Sequence, residues 1–246
     1  VRWNNIGLSH QGIIMQTLIK HGTLVTATKT EEADLLINDG KIARVGQGIS
    51  VNDTCEVIDA RALFVLPGGV DVHVHLDLPM FNTVSSDDHY TGTKAAACGG
   101  TTTVIDFVSQ DNDDLLGCVA ALRRKADARV AVDYGLHMNI THLNPRVEAQ
   151  IPLLVKEGIT SLKVFSAYND RLRLRDDEIF RVMRIAREHG LLTMLHAENG
   201  DLIELLVQEA LQQGRNTPNW HARTRPAWGA VQAVMRGAAF ACRAPV

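Results

Sequence analysis

Two histidines, His73 and His75, lie two residues apart in the segment VDVHVHL, residues 70–76. The alternation of valines predicts a β-strand, and alternate side chains of a strand point to the same face. Both imidazoles therefore share a face, and neutral imidazole is the commonest metal ligand in proteins. The spacing favours half of a metal site. A pair of half-buried histidines without a metal is the alternative that the spacing leaves open.

Lys163 stands in the middle of a predicted strand, SLKVF. A buried lysine is costly as a cation, so its pKa must shift or it must find a partner. The side chain either extends from the strand end towards water or reacts with carbon dioxide. The resulting carbamate is an anionic oxygen ligand able to bridge two metal ions. His196 ends the next predicted strand, where a barrel carries functional residues.

Tyr168 follows Lys163 by five residues, just past the end of the strand. A phenol at this position could donate a hydrogen bond to an oxyanion, or it could simply pack at the rim of a barrel. His137 lies on a predicted strand, and the sequence leaves open whether it supports the metal site or belongs to the core. Five further histidines fall in loops, turns or helix ends and are interpreted as structural: His21, His89, His142, His189 and His221.

The elements that must position these residues alternate between strand and helix after Pro67. Strands are predicted at 70–76, 101–107, 130–138, 160–166 and 191–196. Such alternation indicates a parallel sheet with crossover helices, either an open doubly wound sheet or part of an eight-stranded barrel. No G-x-G-x-x-G motif follows a strand, so a dinucleotide-binding fold has no support.

Local signals predict several details of these elements. Asp39-Gly40 predicts a hairpin turn, and EVIDARALFV, residues 56–65, is interpreted as a further strand pair. Residues 145–158 are interpreted as one helix beginning near Pro145 and ending at Gly158. A later helix is expected to begin with Asp201 as its N-cap and Glu204 three residues on.

Composition limits the class of protein. The chain has 246 residues, 46% of them hydrophobic, and a net charge of -3, which fits a packed globular domain. It has no basic patch for nucleic acid and no apolar run long enough for a membrane span. Four cysteines without a C-x-x-C pair favour free thiols and a cytoplasmic location. Residues 1–14 precede Met15 and are expected to be a non-native or disordered extension.

Five segments, taken in order, carry a family resemblance. They are GGVDVHVHLD, AAACGGTTTVIDF, SLKVFSAY, MLHAENGD and RNTPNWHARTRP. Together they resemble the dihydropyrimidinase/hydantoinase branch of the amidohydrolase superfamily, and the similarity runs from about Met15 to about Phe240.

The resemblance implies an α/β fold, a (β/α)8 TIM-type barrel beside a small β-sandwich. Residues 15–65 would form the first part of the sandwich, and residues 66–246 an incomplete barrel of about five strands. It also implies two zinc or other divalent metal ions. The residues implied in the site are His73 and His75 on the more buried metal, Lys163 as the carbamylated bridge, His196 on the second metal, and Tyr168 on the substrate carbonyl.

The activity implied by the resemblance is hydrolysis of a hydantoin or dihydropyrimidine ring to an N-carbamoyl amino acid, by a hydroxide that bridges the zinc ions. Dihydroorotases typically have arginine where this chain has Asp77, so a ring without a carboxylate at that point is favoured. Two alternatives are an allantoinase-like enzyme and a non-catalytic relative that only oligomerises. Full-length members are typically tetramers, so a homo-oligomer is expected.

One departure from the family pattern concerns the last ligands. Members of the family carry a further histidine on the sixth strand and an aspartate on the eighth, which serves as general base, and neither is located in these 246 residues. The ending ACRAPV does not resemble the family continuation. We therefore expect a truncated sequence with little or no activity as written.

Overall fold

The computed structural model describes residues 16–80 and 82–244. The chain divides into two compact units, with the division between Gly69 and Val70. The extension expected over residues 1–14 lies outside the described residues. Within the described ranges no helix has the length and apolar character needed to cross a lipid bilayer.

The first unit contains a five-stranded sheet built around its first strand. Its strands are β1 (Gln16–Val25), β2 (Thr30–Asn38), β3 (Lys41–Gly46), β4 (Glu56–Asp59) and β5 (Phe64–Val65). β1 pairs with β2 on one side, and β3 extends the sheet beyond β2. The described part of this unit holds this one sheet, and the sandwich implied by the resemblance stays a prediction.

The hairpin predicted at Asp39-Gly40 is confirmed. β2 and β3 pair antiparallel, with Asn38 opposite Lys41, and φ is 48° at Asp39 and 71° at Gly40. Two positive φ values at the centre of a two-residue turn match the right-handed twist of the strands.

The strand pair predicted within residues 56–65 is wrong in its pairing. β4 and β5 do not pair with each other, and both run parallel to β1 along the same edge. The short turn between them, closed by Leu63 N–H donating to the Ala60 carbonyl at 2.9 Å, does not reverse the chain. It displaces the chain further along β1 instead.

Asp34 is a buried carboxylate on β2 that binds β1 and the segment after β3. Its oxygens accept hydrogen bonds from the backbone N–H groups of His21 at 3.0 Å and Ile49 at 3.1 Å. The N–H of His21 is the largest cause that lowers the pKa of Asp34 below its ordinary value of 3.8. The ionised form is therefore the one that stabilises the fold.

Replacing this carboxylate is expected to remove a pH-dependent part of the stability. Because the folded pKa is lowered, the contribution of Asp34 is complete above the unfolded pKa of about 4 and is lost as pH falls through the folded value. Asp34→Asn should cost about 1–3 kcal/mol at pH 7, and the cost should shrink towards pH 3. Urea unfolding followed by circular dichroism measures this difference. Asp53→Asn, at an exposed carboxylate, is the control and should cost about 0.5 kcal/mol or less; a pH-independent cost for Asp34→Asn would contradict the prediction.

The second unit is α/β. Its strands are β6 (Gly69–Val74), β7 (Pro79–Met80), β8 (Thr83–Val84), β9 (Thr101–Val108), β10 (Asp133–Asn139), β11 (Ser161–Phe165) and β12 (Leu192–His196). Its helices are α1 (His89–Cys98), α2 (Leu115–Ala126), α3 (Pro145–Gln150), α4 (Asp176–Glu188), α5 (Gly200–Gln212), α6 (Asn219–Arg223) and α7 (Ala227–Arg243), with a 3-10 helix at Ile151–Glu157. β7 and β8 form a separate two-stranded sheet.

The order of the strands decides between the two architectures that the sequence left open, a doubly wound sheet and part of a barrel. The five-stranded parallel sheet runs β6-β9-β10-β11-β12, so the spatial order equals the chain order. A doubly wound sheet reverses its order at a switch point, whereas each strand of a (β/α)8 barrel lies beside the next. The sheet is therefore half of a barrel, and the predicted fold class with about five strands is confirmed.

Two helix predictions need correction. The helix predicted over 145–158 is an α-helix followed by a 3-10 helix, because Pro152 has no N–H to continue the α-helical hydrogen bonds. The N-cap of α5 is Asn199, whose side chain accepts from Leu202 N–H. The predicted cap, Asp201, instead forms an ion pair with Arg173.

The main hydrophobic core lies between the sheet and the helices. On β11, Leu162 and Val164 are fully buried in this core, together with Ile179 and Val182 from α4. Since side chains of a strand alternate between faces, the odd-numbered residues of β11 point to the opposite, inner face. Packing of the even-numbered residues therefore fixes where Lys163 points.

Candidate metal centre

The strand registers place the chemically active side chains on the inner face of the half-barrel. Phe107 of β9 stands opposite His137 of β10, and Phe165 of β11 stands opposite His196 of β12. Lys163 lies two residues before Phe165 and so shares its face. Residues from four consecutive strands thus line one surface.

The first group on this surface, the His73 cluster, consists of His73, His75, Phe107 and His137. The rings of His73 and His75 are 5.2 Å apart between centroids and nearly perpendicular. Both pack on Phe107, at 4.6 Å and 4.9 Å, and His137 contacts the same ring at 4.8 Å. The aromatic ring of Phe107 therefore supports both predicted metal ligands.

The role of His137, which the sequence left undecided, follows from its hydrogen bonds. Its Nε2 lies 2.9 Å from the Val72 carbonyl, which can only accept, so Nε2 carries the proton. Nδ1 meets the Ser161 hydroxyl, and it accepts from that hydroxyl because burial lowers the pKa of His137 and favours the neutral ring. Both ring nitrogens are occupied. His137 therefore holds β6 in place and is not a ligand.

The second group, the Lys163 cluster, consists of Lys163, Phe165, Tyr168 and His196. The Lys163 Nζ lies 5.6 Å from the centroid of the Phe165 ring, and the Tyr168 ring lies 4.9 Å from that of His196. Tyr168 has a φ of 64°, an uncommon conformation for a non-glycine residue that often marks a functional site. The turn after β11 thus directs Tyr168 back towards His196.

Glu198 was not predicted from the sequence and is a direct partner of a predicted ligand. Its Oε2 lies 2.7 Å from Nε2 of His196. A carboxylate on one ring nitrogen of a metal-binding histidine fixes the ring and leaves the other nitrogen for the metal. The signal available in the sequence was the acidic residue two positions after His196.

His89, which was interpreted as structural, is 2% exposed and lies against Asp106 with a distance of 3.5 Å between Nε2 and Oδ2. Neither nitrogen of His89 has a hydrogen-bond partner among the described residues. Asp106 was also missed. Its negative charge opposes the lowering of the pKa of His75 and His137, so this carboxylate acts on the His73 cluster at a distance.

Electrostatics favours the neutral form of two predicted ligands. Desolvation is the first cause that lowers the pKa of His75, followed by the nearby charge of His73 and, more weakly, that of Lys163. Desolvation also lowers the pKa of Lys163. A neutral imidazole can bind a metal ion, and a neutral amine can react with carbon dioxide.

Among residues 16–80 and 82–244, no three His, Cys, Asp or Glu side chains form a group that could hold a metal ion. The predicted ligands form two separate clusters on the same face. The charge of Lys163 in one cluster lowers the pKa of His75 in the other. Their chemistry still fits a metal pair, because imidazoles are zinc ligands and a desolvated lysine is suited to carbamylation. The described residues therefore fit as part of a metal centre and do not close it.

Comparison with known proteins identifies the family. Residues 64–219 match the amidohydrolase family. The chain belongs to this family. The matched region contains all five residues predicted in the site: His73, His75, Lys163, Tyr168 and His196.

Relatives within the amidohydrolase family are hydantoinases. The chain is 46% identical over 214 residues to a D-hydantoinase of Geobacillus stearothermophilus, covering 86% of the chain and 45% of the relative. It is 42% identical to a D-hydantoinase of Streptomyces coelicolor, covering 86% and 46%. The resemblance noted in the sequence is thereby confirmed.

Solved structures agree with this assignment. A crystal structure of D-hydantoinase superposes with a TM-score of 0.91 at 44% identity, covering 94% of this chain and 50% of the other. The dihydropyrimidinase of Brevibacillus agri NCHU1002 gives 0.91 at 41% identity, covering 94% and 50%. The chain spans about half the length of the relatives it matches.

Proposed function

We propose that this chain supplies metal-binding residues to an enzyme that hydrolyses a cyclic amide, a hydantoin or a dihydropyrimidine, to an N-carbamoyl amino acid. The observation that carries the proposal is the arrangement of the inner face. A pair of histidines at β6, a desolvated lysine on β11 and a histidine on β12 held by a carboxylate line one surface. The relatives are D-hydantoinases, and their activity gives the reaction class.

Four residues would hold the metal ions. His73 and His75 would bind one ion, a carbamate on Lys163 would bridge the two, and His196 would bind the second. Zinc fits these ligands, and bound zinc supplies Lewis acidity that lowers the pKa of water and polarises a carbonyl. Phe107 supports the first pair of ligands, and Glu198 orients His196.

Tyr168 is the proposed contact to the reacting carbonyl. Its ring packs 4.9 Å from that of His196 between centroids, and its side chain is 43% exposed. The phenol O–H would donate to the oxygen on which negative charge develops, a contribution that is strongest in the transition state.

Asp77 is the residue that favours an uncharged ring. It follows the histidine pair, and its carboxylate pairs with Lys125 at 3.3 Å. Within the part of the chain that the structure describes, the position therefore offers no free cation to bind a substrate carboxylate, and a hydantoin or dihydropyrimidine without a carboxylate is preferred there.

The location and assembly of the protein are part of the proposal. All four cysteines are free, two of them buried and two exposed, which supports a cytoplasmic location. A homo-oligomer, a tetramer in the full-length enzyme, is proposed from the family resemblance.

The test of the proposed function is a ring-opening assay. This chain is joined to the part of the Geobacillus D-hydantoinase that it does not match, and the product is loaded with zinc and bicarbonate. We expect hydrolysis of dihydrouracil or a 5-substituted hydantoin, and its loss in a His73→Ala version. Turnover of allantoin alone would favour an allantoinase. A zinc-loaded, folded protein that opens none of these rings would favour the non-catalytic alternative.

A further inference from the structure

Asn139 is the last residue of β10, and its side-chain oxygen has no hydrogen-bond partner within the described ranges. Its Oδ1 is buried and accepts from none of the described residues. A buried amide oxygen is nearly always paired in a folded protein. An orphaned acceptor therefore marks a place beside which no described donor, the free amine of Lys163 included, is in position.

The neighbour of Asn139 across the sheet is Lys163. The two residues are register partners on β10 and β11, and Ile140 N–H donates to the Lys163 carbonyl at 2.8 Å, which fixes this register. The preceding pair, Met138 and Leu162, is fully buried in the core on the outer face. The side chains of Asn139 and Lys163 consequently project from neighbouring strands, at the same level, on the inner face.

We propose that Asn139 is a positioning residue for the carbamate of Lys163, and this inference rests on the proposed function. The lone pair of Nζ attacks the carbon of carbon dioxide and a C–N bond forms. One C–O π pair moves onto oxygen, and one proton passes from nitrogen to water. The nitrogen keeps one N–H, which donates to Oδ1 of Asn139. That hydrogen bond orients the planar carbamate and leaves both of its oxygens for metal ions.

The direct test measures the carbamate on the full chain with ¹³C-labelled bicarbonate and ¹³C NMR, without added metal and again with zinc. Asn139→Val removes the acceptor. Asn139→Thr introduces a side chain of the same shape as valine whose hydroxyl can accept a hydrogen bond. We expect about a tenfold lower carbamate formation constant for Asn139→Val, as for one lost hydrogen bond, and a value for Asn139→Thr between those of Asn139→Val and the unmodified chain. Equal constants for the unmodified chain and both variants would overturn the proposal.

The matched control is Asn38 in the first unit, whose Oδ1 is also buried and has no partner in the part of the chain that the structure describes. Asn38→Val should leave the carbamate unchanged. If both Asn139 variants fail to fold, the unmodified chain still decides. The side-chain carbonyl signal of Asn139 should move on addition of bicarbonate while that of Asn38 stays, and a stationary Asn139 signal would overturn the proposal.

A separate variant distinguishes failure of the proposed metal chemistry from failure of the proposed role of Asn139. Lys163→Met should lose the carbamate signal completely. If the unmodified chain gives no signal beyond that of Lys163→Met, the proposed metal chemistry itself fails. If the signal is present and depends on Lys163 but not on Asn139, only the role of Asn139 fails.

Discussion

Replacing His73 with alanine is expected to abolish the zinc binding that this chain retains in the presence of bicarbonate. Loss of a residue that hydrogen-bonds to a metal ligand typically weakens metal affinity about 10–100-fold. Loss of the ligand itself should have a larger effect, so we expect zinc affinity to fall by more than about 100-fold. His73 is exposed at the edge strand of the half-barrel. Its removal should therefore change the free energy of unfolding of the metal-free chain very little.

Zinc per chain, measured by atomic emission after dialysis, checks this prediction. A value close to two in the unmodified chain would mean that the described ligands assemble both ions. A value close to zero would mean that they need the rest of a longer protein to do so, and His73→Ala is then compared in the chain joined to the unmatched part of the Geobacillus D-hydantoinase. His221→Ala is the matched control, because His221 is an exposed histidine on α6. Unchanged zinc in His73→Ala would contradict the assignment of the histidine pair.

Thermal unfolding gives a second readout for the same variant. An ion that binds only the folded state raises the melting temperature, by an amount that grows with the logarithm of its concentration divided by its Kd. Zinc should therefore stabilise the unmodified chain and the His221→Ala control. It should leave the melting temperature of His73→Ala almost unchanged.

The elements of the half-barrel were predictable because their signals are local. Alternating valines marked β6, and an amphipathic stripe of Ile179, Val182, Met183 and Ala186 marked α4. Three of the four are buried, and Met183 packs partly buried against the core. The pairing of β4 and β5 was not predictable in this way, since both strands join β1 and not each other. Which edge a short strand joins depends on tertiary packing, and no local pattern encodes it.

The candidate site was predictable to a similar extent. Histidine and lysine within strands are unusual, so His73, His75, Lys163 and His196 stood out by residue type. The groups that support them did not, because Phe107 and Asn139 are ordinary residues for a strand or its end. Their importance comes from the register, which places Phe107 under two imidazoles and Asn139 beside Lys163. A register is a property of two strands and cannot be read from one.

The two faces of β11 should separate stability from metal binding. Leu162 is fully buried in the core behind the sheet, and its neighbour Lys163 lies on the inner face. Leu162→Ala leaves a cavity between the sheet and helices and should cost about 2–5 kcal/mol of unfolding free energy. Each 1.4 kcal/mol corresponds to about a tenfold change in the unfolding equilibrium constant.

Urea unfolding followed by circular dichroism measures this cost, with Leu205→Ala as the control. Leu205 lies on α5 and is 55% exposed, so its truncation should change stability by about 0.5 kcal/mol or less. Folded Leu162→Ala should bind zinc as the unmodified chain does, because its ligands are intact. His73→Ala should show the opposite behaviour, with normal stability and no zinc. If Leu162→Ala also lost zinc under conditions where it is folded, the register of β11 would depend on this one side chain, and the inner face would be less rigid than the packing of its outer neighbours implies.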